Sequence, residues 1–169
     1  MGKSTSNITP IANAQRRAGI GAADRRKVAE KLSEVLEGVY SLLLRTQMVH
    51  WNVRGASFHG VHILTEQQYK TLFEAIDIIA ERILSLGFGV PAKNGAIIAP
   101  TSAPFDPKET ADGMLERLAA EHEACARTAR ETAEIADEAD DLVTADMLTD
   151  RLAEHEKAIW MLRSQMSRQ

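Results

Sequence analysis

Cysteine is nearly absent from this sequence: Cys125 stands alone among 169 residues. A disulfide framework is therefore excluded, as is a zinc site built on paired thiolates, and a lone thiol suits a reducing compartment. Aromatic residues make up only 5%, with five prolines and ten glycines. That palette disfavours a sandwich of many short strands, whereas abundant Ala, Leu, Ile and Val favour long helices. No apolar run reaches the roughly 18 residues that would suggest a membrane span, and no charged-then-apolar leader precedes the first helical pattern. A hydrophobic fraction of 44% can build a core, and 26% charged residues keep it in water. The expectation is one soluble, helical, cytoplasmic domain with tails, and composition says nothing further about chemistry.

The net charge of −4 is unevenly distributed. Lys3, Arg16, Arg17, Arg25, Arg26 and Lys27 against Asp24 give residues 1–27 a charge of +5, which leaves −9 on the remainder. Residues 1–22 lack apolar periodicity and are rich in Ser, Asn, Gly and Ala, so they read as a flexible basic arm ahead of a domain at 23–169. The six cations suit a phosphate backbone, which needs charge and no fold; a solvated tail would look the same.

Val28, Leu32, Val35, Val39, Leu42 and Val49 recur at helical spacing and predict a first helix from about 24 to 52. A tight connection over Asn52–Ser57 leads to a second helix striped by Val61, Leu64, Leu72, Ile79 and Ile83, with Gln68 the one polar member. Gly87, Gly89 and Pro91 stop it, and residues 88–105 form a long connection with room for a short extra helix. Asp106-Pro107-Lys108-Glu109 reads as the cap of a third helix striped by Met114, Leu118, His122, Cys125 and Ala129. After an acidic loop at Asp137–Asp141, a fourth helix carries Leu148, Leu152, His155, Ile159 and Leu162. Short, long and short connections describe an all-α, ferritin-like four-helix bundle with one crossover between its second and third helices.

His50, His62, Glu66, Asp77 and Glu81 are residue types that bind iron and other divalent transition metals while leaving positions open. On an ideal wheel with the second helix's apolar stripe at zero, His62 falls near 100°, Glu66 near 140°, Asp77 near 160° and Glu81 near 200°, all roughly. They share a face that points away from the bundle, together with Ile63, Tyr69, Phe73 and Leu84. A second apolar face asks for a second burial partner, most simply another subunit. His62 and Asp77 lie ~22 Å apart along a helix, so one helix cannot bring both to one ion. His50 can join His62 across the tight loop, and Asp77 with Glu81 forms a separate half-set. Two antiparallel copies about a two-fold axis would join the halves. Solvated carboxylates and ordinary surface histidines are the competing explanation.

The run His50-Trp51-Asn52-Val53-Arg54-Gly55, followed by Phe58, His62, Asp77 and Ala80-Glu81-Arg82, resembles the signature of the Dps family, the DNA-binding proteins from starved cells or mini-ferritins. The likeness covers about Asp24 to Met166. Position by position it implies ferroxidase ligands His50 and His62 from one chain with Asp77 and Glu81 from a two-fold mate. Glu66 stands where many relatives have Asp as an outer or water-mediated ligand. Trp51 matches a tryptophan beside the site that can take up oxidising equivalents, although it would also serve as interface packing. The resemblance further implies a hollow dodecamer that binds Fe(II), oxidises it with hydrogen peroxide in preference to oxygen, and stores ferric mineral. Acidic pores for iron map onto Asp141, Asp146 and Asp150, acids that would equally complement a helix N-terminus. Many relatives coat DNA non-specifically through a basic tail and some do not.

An iron site inside the bundle is the alternative. It would want Glu-x-x-His on core positions, and neither Glu121 nor Glu154 has a histidine three residues on. His122 and His155 nevertheless lie on core stripes at similar distances from the Asp140 turn, as satisfied core histidines or as ligands. A DNA-compacting particle with secondary iron chemistry is the remaining reading.

Overall fold

The apolar stripe of Val28, Leu32, Val35, Val39, Leu42 and Val49 runs the length of α1 (Ala22–Asn52), and all six side chains are buried. In a computed structural model that describes residues 8–11, 19–91 and 105–166, three further helices follow: α2 (Phe58–Ser85), α3 (Ala111–Glu138) and α4 (Leu142–Ser164). Val61, Leu72, Ile79 and Ile83 of α2, Leu115 and Leu118 of α3, and Leu148 and Leu162 of α4 close the core. Buried hydroxyls of Ser33, Thr46, Thr65 and Thr132 donate to the carbonyl four residues back, so none costs an unmade bond.

Ion pairs fix the helix directions. Lys27 meets Glu138 at 3.6 Å and Arg45 meets Glu121 at 3.0 Å, so α1 and α3 run antiparallel. Arg82, near the end of α2, meets Asp141 at the start of α4. The end of α2 and the start of α3 therefore lie at opposite ends of the bundle, as the ferritin-like crossover requires. Residues 92–104, where a short helix was expected, lie outside the described residues. The closest approaches are α3 with α4 and α1 with α2; α2 and α4 touch least.

Helix ends explain where the chain turns. Gly87, at φ +97°, stands just past α2; its N–H bonds Leu84 O and that of Phe88 bonds Ile83 O, with Phe88 buried behind them. This left-handed cap is what Gly permits. The same two bonds end α3, from Asp140 N–H to Asp137 O and from Asp141 N–H to Ala136 O, but here the left-handed residue is Asp140 at φ +55°. Asp141 then caps α4, accepting from Thr144 N–H at 3.1 Å and from its hydroxyl at 2.6 Å.

Two expectations are corrected. The third helix does not open at Asp106. Asp106 accepts from Lys108 N–H in a separate turn, and Thr110 is the N-cap, its hydroxyl accepting from Gly113 N–H at 3.1 Å. Asp-Pro chemistry serves a turn as readily as a cap, and Glu109 pairs with Arg117. Nor are residues 1–22 uniformly an arm. Ile11 N–H donates to Gly87 O, Gly89 N–H donates to Thr9 O, and Ile8 is buried, so residues 8–11 are held against the end of α2.

Two consequences are measurable. Asp141 is 1% exposed beside the half-buried Arg82, so Asp141→Ala strands a guanidinium and removes a cap; unfolding in urea should show a loss of about 3 kcal/mol. His122 and His155 are buried, and burial pushes their pKa values from 6.5 down to about 3, with His155 a further cause, and down to about 4, with Arg151 a further cause. Above about pH 6.5 both states carry neutral rings; below it the unfolded chain takes up protons that the folded chain refuses, so stability falls with pH. The urea midpoint should drop between pH 6.5 and 4, and drop less in His155→Gln. A parallel drop in both proteins would contradict this.

Candidate metal centre

The α1–α2 connection is five residues long because Val53 N–H still bonds Val49 O while Gly55, at φ +99°, reverses the chain and its carbonyl accepts from Phe58 N–H. A Cβ at Gly55 would meet nothing, so its left-handed backbone is the requirement there. This turn lays the last residues of α1 beside the first turn of α2. His50 and His62 stack with ring centroids 3.8 Å apart and planes 17° apart.

Their hydrogen bonds are reciprocal. His50 Nδ1 lies 2.9 Å from the carbonyl of His62, and His62 Nδ1 lies 3.0 Å from the carbonyl of His50. A carbonyl only accepts, so both Nδ1 atoms carry the proton, and in the neutral rings both Nε2 atoms keep a lone pair. Two imidazoles are thus fixed in the tautomer and orientation that metal ligation needs. Tyr69 meets His50 edge-on at 5.3 Å, Phe58 leans on His62 at 5.1 Å, and Thr65 Oγ1 stands 3.3 Å from His50 Nδ1. Thr65 and Tyr69 were not singled out as supports of the pair; their i+3 and i+7 spacing from His62 on α2 was the available signal.

The other expected ligands are placed differently. Glu66 lies one turn from His62, but Lys70 holds it at 2.6 Å; that ammonium first, and His50 and His62 less strongly, keep its carboxyl below the usual range. Asp77 and Glu81 are exposed, far along the same helix. Among the described residues no three His, Cys, Asp or Glu side chains come together. The chain carries a histidine pair and a carboxylate pair, separated by the length of α2.

The face that bears them is apolar. Leu44, Trp51, Phe58, Ile63, Phe73 and Leu84 are all exposed, with Trp51 at 64% and Phe73 at 68%. Trp51 immediately follows His50, on the surface. A band of this kind on two packed helices has the character of an interface.

Asp141 is set apart from Asp146 and Asp150, the other two acids expected at a pore. Its carboxylate is buried, held by Arg82 at 2.5 Å and by Thr144, because it is the cap that joins α2, α3 and α4. Asp146 and Asp150 are exposed and line an open groove with Glu81, Leu142 and Val143. Of the basic residues, Lys3, Arg16 and Arg17 lie outside the described residues. Arg25, Arg26 and Lys27 sit in the first turns of α1, where Arg26 stands 5.3 Å over the Phe88 ring and 3.8 Å from Glu30, and Lys27 pairs with Glu138. No helix among the described residues is long and apolar enough to cross a membrane.

Comparison with known proteins converges on one family. Residues 29–168 match the ferritin family, described as a ferritin-like domain. DNA protection during starvation protein 2 of Bacillus anthracis is 33% identical, over 82% of this chain and 96% of that one. The crystal structure of Dps from Thermosynechococcus elongatus superposes with a TM-score of 0.77 at 30% identity, covering 87% of this chain and 94% of that one. Antigen TpF1 from Treponema pallidum gives 0.79 at 30% identity, covering 88% and 96%. Bundle, hairpin motif and relatives agree: the chain belongs to the ferritin-like proteins, and among them to the Dps family.

Proposed function

We propose that this protein is a ferroxidase whose site is shared between two copies of the chain. His50 and His62 of one subunit and Asp77 and Glu81 of its two-fold mate would bind Fe(II), with Glu66 as an outer ligand once freed from Lys70. The observation that carries this reading is the reciprocal His50–His62 pair at the edge of an apolar face, with Glu66 beside it held by Lys70 and the carboxylates of Asp77 and Glu81 a helix length away. Antiparallel apposition of two such faces buries the apolar band and creates two equivalent sites at once.

Neutral imidazoles and carboxylates suit ferrous iron and leave positions for an oxidant. Two ferrous ions each give up one electron, and hydrogen peroxide takes both as its O–O bond breaks; with water the products are ferric oxyhydroxide and protons. Because peroxide takes both electrons at paired irons, the one-electron cleavage that would release hydroxyl radical is avoided. Trp51, exposed next to His50, is placed to donate an electron if oxidation runs unpaired. A closed homo-oligomer, a dodecamer on the family's plan, would collect the mineral, with Asp146 and Asp150 drawing cations inward. Residence in the cytoplasm, on the nucleoid, would make this protection of DNA, as the starvation-protein name of the relatives suggests. Direct, non-specific DNA binding would fall to Lys3, Arg16 and Arg17, with Arg25, Arg26 and Lys27 already partly engaged by the fold.

His50→Ala and Asp77→Ala should each slow peroxide-driven Fe(II) oxidation by about 10-fold or more. Refolding the two variants together should recover activity, since each mixed pair contains one intact site; unchanged oxidation in both single variants would overturn the shared site. Replacing Lys3, Arg16 and Arg17 together by Ala should abolish a salt-sensitive DNA mobility shift and leave oxidation untouched. A shift that survives at the same salt would remove these residues from the DNA reading.

A further inference from the structure

The loosest side of the bundle, between α2 and α4, holds a partly open cavity of about 170 Å³ walled by Leu64, Leu72, Ala158 and Met161. Its polar lining is unusual. His122 and His155, 2% and 3% exposed, place their Nδ1 atoms 3.0 Å apart with rings 66° to one another. Gln68 lines the same space, 9% exposed, and among the described residues neither its amide nitrogen nor its oxygen has a hydrogen-bond partner; His122 Nε2 has none either. One proton shared along the Nδ1–Nδ1 contact would satisfy that contact and leave the other three atoms unmade, at about 1–3 kcal/mol each. Groups so placed need an occupant that is itself polar.

We propose that this cavity is a second metal site, separate from the intersubunit one, in which a late first-row divalent ion such as Zn²⁺ is held by the Nδ1 atoms of His122 and His155, with the Gln68 oxygen as a further donor. Two nitrogens each ~2.0–2.1 Å from one ion at an angle near 90–100° stand about 3.0 Å apart, the separation seen here. The proton shared along the Nδ1–Nδ1 contact would pass to Nε2 of its own ring as the ion enters, which leaves both Nδ1 lone pairs for the metal. Of the charged residues on the cavity wall, Glu154 would offset part of the ion's charge, while Arg151 and Lys157 on the same rim oppose it. A set dominated by imidazole binds Zn²⁺ above Fe²⁺, in contrast to the carboxylate-rich intersubunit set. The ion would join α2, α3 and α4 where direct packing is thinnest, and the inference does not depend on the ferroxidase reading.

Crystals of the full chain soaked in zinc chloride should show an anomalous peak at the zinc edge within about 2.1 Å of both Nδ1 atoms. Zinc retained after desalting should fall by one ion per chain in His155→Leu and in Gln68→Leu by a smaller amount, and zinc should raise the melting midpoint of the wild type by more than that of His155→Leu, which keeps only the intersubunit site. Density in the cavity with no anomalous signal, that is, ordered water only, would overturn the proposal. So would a melting rise that persists unchanged in His155→Leu.

Discussion

Two imidazoles held face to face by each other's backbone set the terms for everything this protein is proposed to do. The His50 and His62 rings can stack at 3.8 Å only because a five-residue turn brings α1 onto α2, and their carbonyl acceptors settle which nitrogen is free. That pairing also makes the site incomplete. A helix advances about 1.5 Å per residue, so the carboxylates of Asp77 and Glu81, rigidly carried on the same helix as His62, cannot turn back to the rings. On the proposed reading, a second copy is the only way to complete the set, and oligomerisation is a requirement of the chemistry.

The far end of α2 is governed by a different interaction. Arg82 and Asp141 bind one another beneath the surface, and Asp141 simultaneously follows the left-handed cap of α3 and opens α4. A single carboxylate thereby fixes three helices, and its neighbour Glu81 faces outward from an anchored turn. Between this knot and the histidine hairpin, α2 and α4 diverge enough to leave the His122–His155 cavity. The bundle is tight at its ends and looser along this side, and its two clusters of metal-binding residues differ accordingly: one exposed, carboxylate-rich and divided between subunits, the other buried, imidazole-rich and contained in one chain.

Much of this was legible in the amino-acid sequence. The stripes of α1 and α2, the short turn at Gly55 and the outward face of His62, Asp77 and Glu81 follow from helical spacing alone, since burial and periodicity carry the same information. The errors arose where one residue type serves two local structures. Asp106-Pro107 suits a turn and a cap equally, and Thr110 took the cap. Asp141 in an acidic run looks like a solvated charge until Arg82, 59 residues earlier, is placed beside it. The reciprocal bonds of His50 and His62 and the unmet amide of Gln68 were illegible for another reason: both depend on what the tertiary fold puts opposite a side chain. Residues 8–11 show the same effect, since nothing local in them announces a pairing with Gly87 and Gly89.

The central claim is that one chain holds half of each iron site. Crystals of the assembled protein soaked anaerobically in Fe(II) and measured at the iron edge test it most directly. An anomalous peak is expected at the two-fold interface, within bonding distance of Nε2 of His50 and His62 in one subunit and of Asp77 and Glu81 in its mate. Iron found only inside a single bundle, with none between subunits, would contradict it.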